Sequence, residues 1–164
     1  MTLSIAVEIT VNGAKRRGSI EPRTTLVDFL REHLGLTGTH VGCEHGICGA
    51  CSILLDGVPV RSCLMYAAQA DGCAVTTIEG LSRPDGTPGA LQDAFCETHA
   101  LQCGYCTPGM VIAAHALLEE SSAPSEAEIR AALSGNLCRC TGYVQIIEAV
   151  QLAAARKKED GIGS

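Results

Sequence analysis

Eight of the ten cysteines in the 164-residue chain fall into two groups of four. The first group has the spacing Cys-x4-Cys-x2-Cys-x11-Cys and consists of Cys43, Cys48, Cys51 and Cys63. This is the spacing of a plant-type [2Fe-2S] loop. The second group consists of the pairs Cys103-x2-Cys106 and Cys138-x-Cys140. Four thiolates can hold one iron-sulfur cluster, so the two groups predict two clusters and a role in the transfer of single electrons.

Glycine is frequent in the first group, with Gly42, Gly46 and Gly49 close to the ligands. A loop that supplies three ligands must wrap its backbone round the metal centre, and glycine permits the positive φ angles and the close approach that wrapping needs. The N–H groups of such a loop can also donate to the sulfurs and tune the reduction potential. A zinc site would use Cys-x2-Cys pairs, which fits this group poorly.

Spacing alone leaves the second group open to two interpretations. The 31 residues between Cys106 and Cys138 exceed the usual zinc-ribbon interval, but a structural zinc remains an alternative to an iron-sulfur cluster. Cys73 and Cys96 lie outside both groups, and each is expected to be a buried free thiol that packs as a small hydrophobic residue.

The five histidines do not extend either group. His45 lies inside the first loop and suggests a Rieske cluster, in which two histidines replace two cysteines. Only one histidine is present there beside four cysteines, so we interpret His45 and His40 as solvated loop residues. His33, His99 and His115 fall on predicted helices without paired spacing, and we expect them at the surface or in the core.

Composition excludes several classes of protein. Hydrophobic residues make up 46% of the chain, which is enough for a buried core, but apolar stretches such as residues 110–118 are too short to span a membrane. A net charge of −6 gives no field that would attract nucleic acid. Residues 1–8 lack the pattern of a signal peptide, so we expect a cytoplasmic protein. In a reducing compartment, metal ligation by the ten cysteines is favoured over disulfides, which are the alternative.

The N-terminal half has the pattern of a small sheet with one helix. Apolar and polar residues alternate around Asn12-Gly13, which predicts a β-hairpin, and Asp56-Gly57 predicts a second one. Thr25 and Asp28 are favourable at the start of an amphipathic helix. The predicted helix and the last predicted strand are residues 24–35 and 74–78.

From residue 90 onward the hydrophobic pattern has a helical period only. Thr107-Pro108 and the capping box of Ser125 with Glu128 mark helix starts. The four predicted helices are residues 90–99, 107–120, 125–134 and 141–158. We therefore predict an α+β fold with a sheet domain at 1–80, a linker rich in proline and glycine at 81–89, and a four-helix bundle at 90–164.

A weak internal repeat places a thiolate before two of these helices. Cys106-Thr107 and Cys140-Thr141 each precede a predicted helix start, so two helix N-termini are expected to face one another across a pseudo-twofold axis. Their amides and positive dipole ends would stabilise an anionic cluster.

Three sequence strings resemble the iron-sulfur subunit of the molybdenum hydroxylases, the family of xanthine oxidase, aldehyde oxidoreductase and carbon monoxide dehydrogenase. They are GCEHGICGAC at 42–51, QCGYCTPGMV at 102–111 and GNLCRCTGY at 135–143. The resemblance extends from about Ile5 to about Ala154. It implies a plant-ferredoxin-like (β-grasp) domain followed by the helical domain. It also implies that all eight cysteines are [2Fe-2S] ligands, with the first cluster nearer a flavin and the second nearer molybdenum.

The resemblance further implies the partners and their positions. Gln102 and Cys140 would approach a molybdopterin dinucleotide on a large molybdenum subunit, FAD would lie on a medium subunit, and the assembly would be a dimer of such heterotrimers. Tyr105, Met110 and Tyr143 are expected in an apolar interface of the helical domain. The chain itself would contain no substrate site.

We therefore expect an oxidoreductase component, namely the electron-transfer subunit of a molybdenum-dependent hydroxylase or dehydrogenase. It would relay single electrons between the molybdopterin site and FAD through two [2Fe-2S] clusters. A free-standing two-cluster carrier of the ferredoxin type is the alternative, and a scaffold stabilised by zinc is a third reading.

Overall fold

A five-stranded mixed sheet forms most of the N-terminal half. The computed structural model describes the backbone of residues 3–161 and the side chains of residues 3–157. The strands are β1 (Ile5–Val11), β2 (Ala14–Ile20), β3 (Ser52–Leu55), β4 (Val58–Arg61) and β5 (Ala74–Thr76). Their order in the sheet is β2-β1-β5-β3-β4. Strand β1 is parallel to β5, and the other neighbouring pairs are antiparallel.

Both predicted hairpins are confirmed. The φ angles are 50° at Asn12 and 78° at Gly13, and 48° at Asp56 and 84° at Gly57. Two successive residues in the left-handed region give a turn whose twist matches that of the flanking strands, and Asn-Gly and Asp-Gly reach this conformation at low cost. Each two-residue turn therefore joins two antiparallel strands.

The predicted helix after β2 forms in two parts. Helix α1 (Leu26–Asp28) continues as a π-helical turn at Phe29–His33. The Thr25 side chain accepts a 3.2 Å hydrogen bond from the Asp28 amide, which confirms the predicted cap. The core-facing residues of α1 and the π-helical turn are fully buried against the sheet. They are Leu26, Phe29 and Leu30.

Four helices follow in the second half. They are α2 (Ala90–Glu97), α3 (Thr107–Glu120), α4 (Glu126–Leu133) and α5 (Val144–Gly161). The prediction that the last helix begins at residue 141 is wrong. Gly142 and Tyr143 have φ angles of 69° and 72°, which a right-handed helix cannot accommodate. Helix α5 therefore begins at Val144.

The predicted start of α3 is correct in position but not in its cap. Cys106 is the N-cap residue, Thr107 is the first helical residue and Pro108 the second. The Thr107 hydroxyl is buried and has no hydrogen-bond partner among the described residues. At α4 the predicted capping box is present, because Ser125 and Glu128 exchange side-chain and main-chain hydrogen bonds.

Two hydrophobic cores lie on either side of a smaller contact. One core joins the sheet to α1, and the other is shared by α2, α3, α4 and α5. The contact between them joins β3 to α3 through Leu54, Ile112 and Ala116. The fold is thus α+β, as predicted. No helix in the described part of the chain has the length and apolar character needed to cross a membrane.

Candidate metal centres

In the first group the cysteine side chains lie in two contacting pairs. Cys43 contacts Cys48, and Cys51 contacts Cys63. The main-chain amide of Cys48 also donates to Cys43 Sγ over 3.4 Å. Donation from the amides of Cys48 and His45 lowers the pKa of Cys43 to about 6. This loop therefore favours a thiolate at Cys43 before any metal arrives.

The pKa of Cys63 is shifted in the opposite direction to that of Cys43, because Cys63 is less exposed. Burial and the neighbouring Cys51 thiol raise the pKa of Cys63 to about 11. Its proton must leave when it binds a metal, so ligation here depends on a strong positive centre.

Glycine serves this loop in two different ways. Gly46 and Gly49 have φ angles of 81° and 73°, as the wrapping of the loop predicts. Gly42 lies outside the left-handed region, but a Cβ at this residue would lie 3.0 Å from Cys48 Sγ. The absence of a side chain at Gly42 therefore leaves room for the sulfur.

The second group is paired in the same way. The sulfurs of Cys103 and Cys140 lie 3.6 Å apart, and Cys106 contacts Cys138. Two sulfurs on one tetrahedral ion, each about 2.3 Å from it, are separated by about 3.8 Å. Cys103 and Cys140 are exposed, whereas Cys106 and Cys138 are half-buried. The Cys103 and Cys140 pair thus has the separation that shared coordination requires and lies at the surface.

Thr141 forms two hydrogen bonds with one sulfur of this group and favours its thiolate form. The Thr141 hydroxyl lies 3.1 Å and its amide 3.4 Å from Cys138 Sγ. Burial opposes ionisation of Cys138, but these two hydrogen bonds lower its pKa below the ordinary value. Burial and the neighbouring Cys138 raise the pKa of Cys106 to about 12. The proposed repeat of two threonine-capped helix starts is wrong, because Thr141 contacts a sulfur and lies ahead of α5.

The donor set fits a binuclear cluster. Among the side chains of residues 3–157, no three His, Cys, Asp or Glu residues lie close enough together to hold a single metal ion. The sulfurs instead form four pairs, two in each group. A [2Fe-2S] cluster with four cysteine ligands needs two thiolates on each iron. Each group therefore offers the number and arrangement of ligands that such a cluster requires.

Gln102 lies beside the exposed pair of the second group. Its side-chain Nε2 donates a 3.1 Å hydrogen bond to the carbonyl oxygen of Cys140. Both residues are exposed. The structure thus brings together Gln102 and Cys140, which the sequence placed 38 positions apart.

Three expectations about single residues are wrong. Cys96 is exposed, so it is not a core residue. Met110 is fully buried and cannot belong to an interface, although Tyr105 is 49% exposed. His40 is half-buried and hydrogen-bonded to the carbonyl oxygen of Tyr105, so it is not a solvated loop residue. His45 is exposed, as expected.

Two residues that sequence reasoning missed connect the two groups, one through its side chain and one through its main chain. Buried Asn136 donates from Nδ2 to the Gly49 carbonyl oxygen over 3.0 Å. The amide of Leu137 donates to the Cys48 carbonyl oxygen over 2.9 Å. These residues lie in the GNLCRC string, so their proximity to ligands was visible in the sequence. Their partners were not, because no local pattern pairs residues so distant in the chain.

Comparison with known proteins identifies the family. Residues 9–80 match the family model for a 2Fe-2S iron-sulfur cluster binding domain, and residues 77–151 match that for a [2Fe-2S] binding domain. The nicotine 6-hydroxylase small subunit of Paenarthrobacter nicotinovorans is 53% identical over 146 residues, which cover 89% of this chain and 87% of that subunit. This chain belongs to the iron-sulfur subunits of the molybdenum hydroxylases. As such a subunit, it transfers electrons within an oxidoreductase and has two [2Fe-2S] domains.

Further relatives of the molybdenum hydroxylase family agree. Subunit gamma of caffeine dehydrogenase from Pseudomonas sp. (strain CBB1) is 53% identical over 151 residues, covering 90% of each chain. A chain of quinoline 2-oxidoreductase from Pseudomonas putida 86 superposes with a TM-score of 0.91 at 51% identity, covering 95% of this chain and 97% of that one. The aldehyde oxidoreductase of Desulfovibrio desulfuricans ATCC 27774 matches with a TM-score of 0.90 at 43% identity. This match covers 94% of our chain but 17% of the longer chain.

Proposed function

We propose that this chain relays single electrons between a molybdopterin-containing large subunit and an FAD-containing medium subunit. The observation that carries the proposal is the pairing of eight cysteine sulfurs in two groups of four. Each pair would hold one iron. The pairs are Cys43 with Cys48, Cys51 with Cys63, Cys103 with Cys140, and Cys106 with Cys138. A bound [2Fe-2S] cluster supplies the ability to accept and release one electron.

The second group would face the molybdenum partner. Cys103 and Cys140 are exposed, and Gln102 stands beside them with a hydrogen bond to the Cys140 main chain. An amide side chain held in this way can present its remaining polar atoms to a pterin ring. Leu101 and Val144 are 37% and 54% exposed and could extend an apolar contact around this edge.

The first group would face the flavin partner. Ile47 and Leu64 are 60% and 61% exposed, and each is adjacent in sequence to a ligand of this group. Exposed aliphatic residues around a redox site favour a partner that stays bound and excludes water. Such a contact would bring the flavin close to the ligands of this group.

A continuous main-chain connection joins the two groups inside this chain. The Cys48 carbonyl oxygen accepts from the Leu137 amide, and Leu137 is bonded directly to Cys138. Cys48 is a ligand in one group and Cys138 in the other. An electron can therefore pass between the two centres along covalent bonds and one hydrogen bond, without a step through space.

Assembly and location complete the proposal. We propose a dimer of heterotrimers, each with one copy of this chain. Relatives named as a small subunit and as subunit gamma support an assembly of different subunits. None of the ten cysteines, all of which lie among the described residues, forms a disulfide, which supports a cytoplasmic location. The helices after residue 90 share one core, which supports a four-helix bundle at 90–164. A separate core joins the sheet to α1, which supports a ferredoxin-like domain at 1–80 and a linker at 81–89.

Metal analysis tests this proposal directly. Iron and acid-labile sulfide should be present in equal amounts, and the dithionite-reduced chain should give two distinct EPR signals. Zinc in either group would contradict it. A free-standing carrier would give the same spectra, so purification from the native host separates the two readings. Molybdenum and FAD should co-purify with a subunit but not with a carrier.

Single ligand variants assign the two signals. Cys51→Ala and Cys103→Ala should each remove one EPR signal and leave the other. Cys96→Ala is the matched control, since this exposed cysteine lies outside both groups. It should leave iron content and both signals unchanged. Retention of both signals in either ligand variant would refute the assignment of that group.

A further inference from the structure

The side chains of His40 and Tyr105 join the two cysteine groups at a second place. Their rings are stacked, with centroids 4.8 Å apart and planes inclined by 26°. The Tyr105 hydroxyl donates to the Val41 carbonyl oxygen over 2.6 Å. His40 Nδ1 lies 2.8 Å from the Tyr105 carbonyl oxygen. Because that oxygen can only accept, Nδ1 carries the proton and is the donor.

These contacts connect segments that carry ligands of different groups. His40 and Val41 lie just before Cys43, whereas Tyr105 lies between Cys103 and Cys106. The three contacts are reciprocal, since each segment supplies both a donor and an acceptor. A stacked ring with a hydrogen bond at each end restrains translation and rotation together.

The contact acts on a different part of the second group from the Leu137 connection. Leu137 precedes Cys138 and reaches Cys48, whereas Tyr105 precedes Cys106 and reaches Val41. The contacts of Asn136, like that of Leu137, hold the string that carries Cys138 and leave the string of Cys103 and Cys106 unrestrained by them. Two separate attachments, one to each cysteine string of the second group, restrain the relative orientation of the two groups.

We propose that His40 and Tyr105 are positioning residues that hold the two metal centres at a defined separation and orientation. This inference rests on the proposed function, because the separation of the centres matters only if electrons pass between them. Neither residue touches a reacting atom. Each acts through the ligand loops that it connects.

Two variants separate the parts of the contact. Tyr105→Phe keeps the stacked ring and removes the hydroxyl that donates to Val41, whereas His40→Ala removes the ring and the Nδ1 donor. Tyr66→Phe and His33→Ala are matched controls. Tyr66 is 51% exposed, and His33 packs on Phe29 with ring centroids 5.6 Å apart, inside the N-terminal half.

The first measurement is hydrogen exchange of the full-length chain. Loss of one hydrogen bond should speed exchange in residues 40–51 by about fivefold in Tyr105→Phe, and by more in His40→Ala. Both controls should exchange in this segment as the unmodified chain does. Because residues 40–51 contain ligands of the first group, variants and controls are compared at equal iron content, and the readout is amide protection and not a redox signal.

The second measurement is the magnetic interaction between the two reduced clusters, seen by EPR as line splitting or faster spin relaxation. It depends on their separation and orientation, and a loss of stability that leaves both clusters bound would not alter it. Both variants should change it, while iron content stays at the level of the controls. Unchanged exchange, or an unchanged magnetic interaction, would overturn the proposal. Absence of two cluster signals in the unmodified chain would instead refute the proposed function.

Discussion

Asn136 donates a 3.0 Å hydrogen bond to the carbonyl oxygen of Gly49 across 87 positions of sequence. Arg61 completes the contact, because its guanidinium donates to the Gly135 carbonyl oxygen over 2.6 Å and to Asn136 Oδ1 over 3.3 Å. Asn136 is 2% exposed, so water cannot replace these partners. The network holds a loop of the first cysteine group against the string that carries Cys138.

Replacement of Asn136 by alanine should destabilise the chain. The substitution removes the hydrogen bonds of Asn136 with Gly49 and Arg61, while the Gly49 carbonyl oxygen keeps the Ser52 donors. Each lost hydrogen bond should cost about 0.5–1.5 kcal/mol in the free energy of unfolding. Urea denaturation followed by circular dichroism measures this loss. Ser134→Ala is the control, because Ser134 is exposed and its hydroxyl bonds only the nearby Ala131 carbonyl oxygen. Equal stability of the two variants would show that the network contributes nothing.

Replacement of Gly109 by alanine tests close packing at the same junction. Gly109 is in the first turn of α3, where helix propensity alone would favour alanine by up to about 1 kcal/mol. A Cβ there would collide with the Gly49 carbonyl oxygen, and overpacking costs about 1–3 kcal/mol. The cost of overpacking should exceed the gain in helix propensity, so the midpoint of urea unfolding should fall. A midpoint that rises would mean that the two segments can move apart freely.

Local chemistry explains which parts of this structure could be predicted from the sequence. Asn12-Gly13 and Asp56-Gly57 determine their turns through their own φ angles, so both hairpins were predictable. Cysteine spacing likewise reports which ligands belong together, because the loop of the first group is a local structure. The family resemblance supplied the prediction that Gln102 and Cys140 approach a molybdopterin.

Long-range contacts explain what could not be predicted. Helix α3 lies between the sheet and the other helices, so Met110 and Ile112 are buried on different sides and no single apolar face marks the interior. The contact of His40 with Tyr105 joins residues 65 positions apart, and neither belongs to a periodic pattern. The start of α5 was misplaced because Thr141 bonds the Cys138 sulfur, and an ordinary cap would look the same in sequence.

Thr141→Val should lower the reduction potential of the second cluster. The hydroxyl lies 3.1 Å from Cys138 Sγ, and a donor to sulfur favours the more negative, reduced state. Loss of a hydrogen bond worth ~0.5–1.5 kcal/mol corresponds to about 20–60 mV for one electron. Redox titration followed by EPR measures the shift.

Thr98→Val provides the control for that substitution. Its hydroxyl donates to main-chain carbonyls of Ala94 and Gln145, and Thr98 lies outside the ligand strings. Both cluster potentials should stay at their original values in this variant. A shift of the first cluster rather than the second in Thr141→Val would contradict the assignment of Thr141 to the second group.

His115 should make stability depend on pH below about 6.5. Burial lowers the pKa of His115 below 6.5, and the attraction of Glu119 does not overcome burial and the charge of Lys157. Below pH 6.5 the unfolded chain binds a proton that the folded chain resists, so stability falls as pH falls. Above that value the histidine is neutral in both states and has no effect. The pKa values of the carboxylates that are shifted here are lowered from 4.5 or less, so they titrate largely below about pH 5.5.

His115→Gln should therefore flatten the pH dependence. The measurement is the urea midpoint at pH 7.5 and at pH 5.5, compared between the unmodified chain and the variant. The unmodified chain should lose more stability on acidification, because only it carries the half-buried imidazole. His33→Gln is the control, since His33 is exposed, and it should retain the original pH dependence. An equal decline in His115→Gln would mean that another group takes up the proton on unfolding.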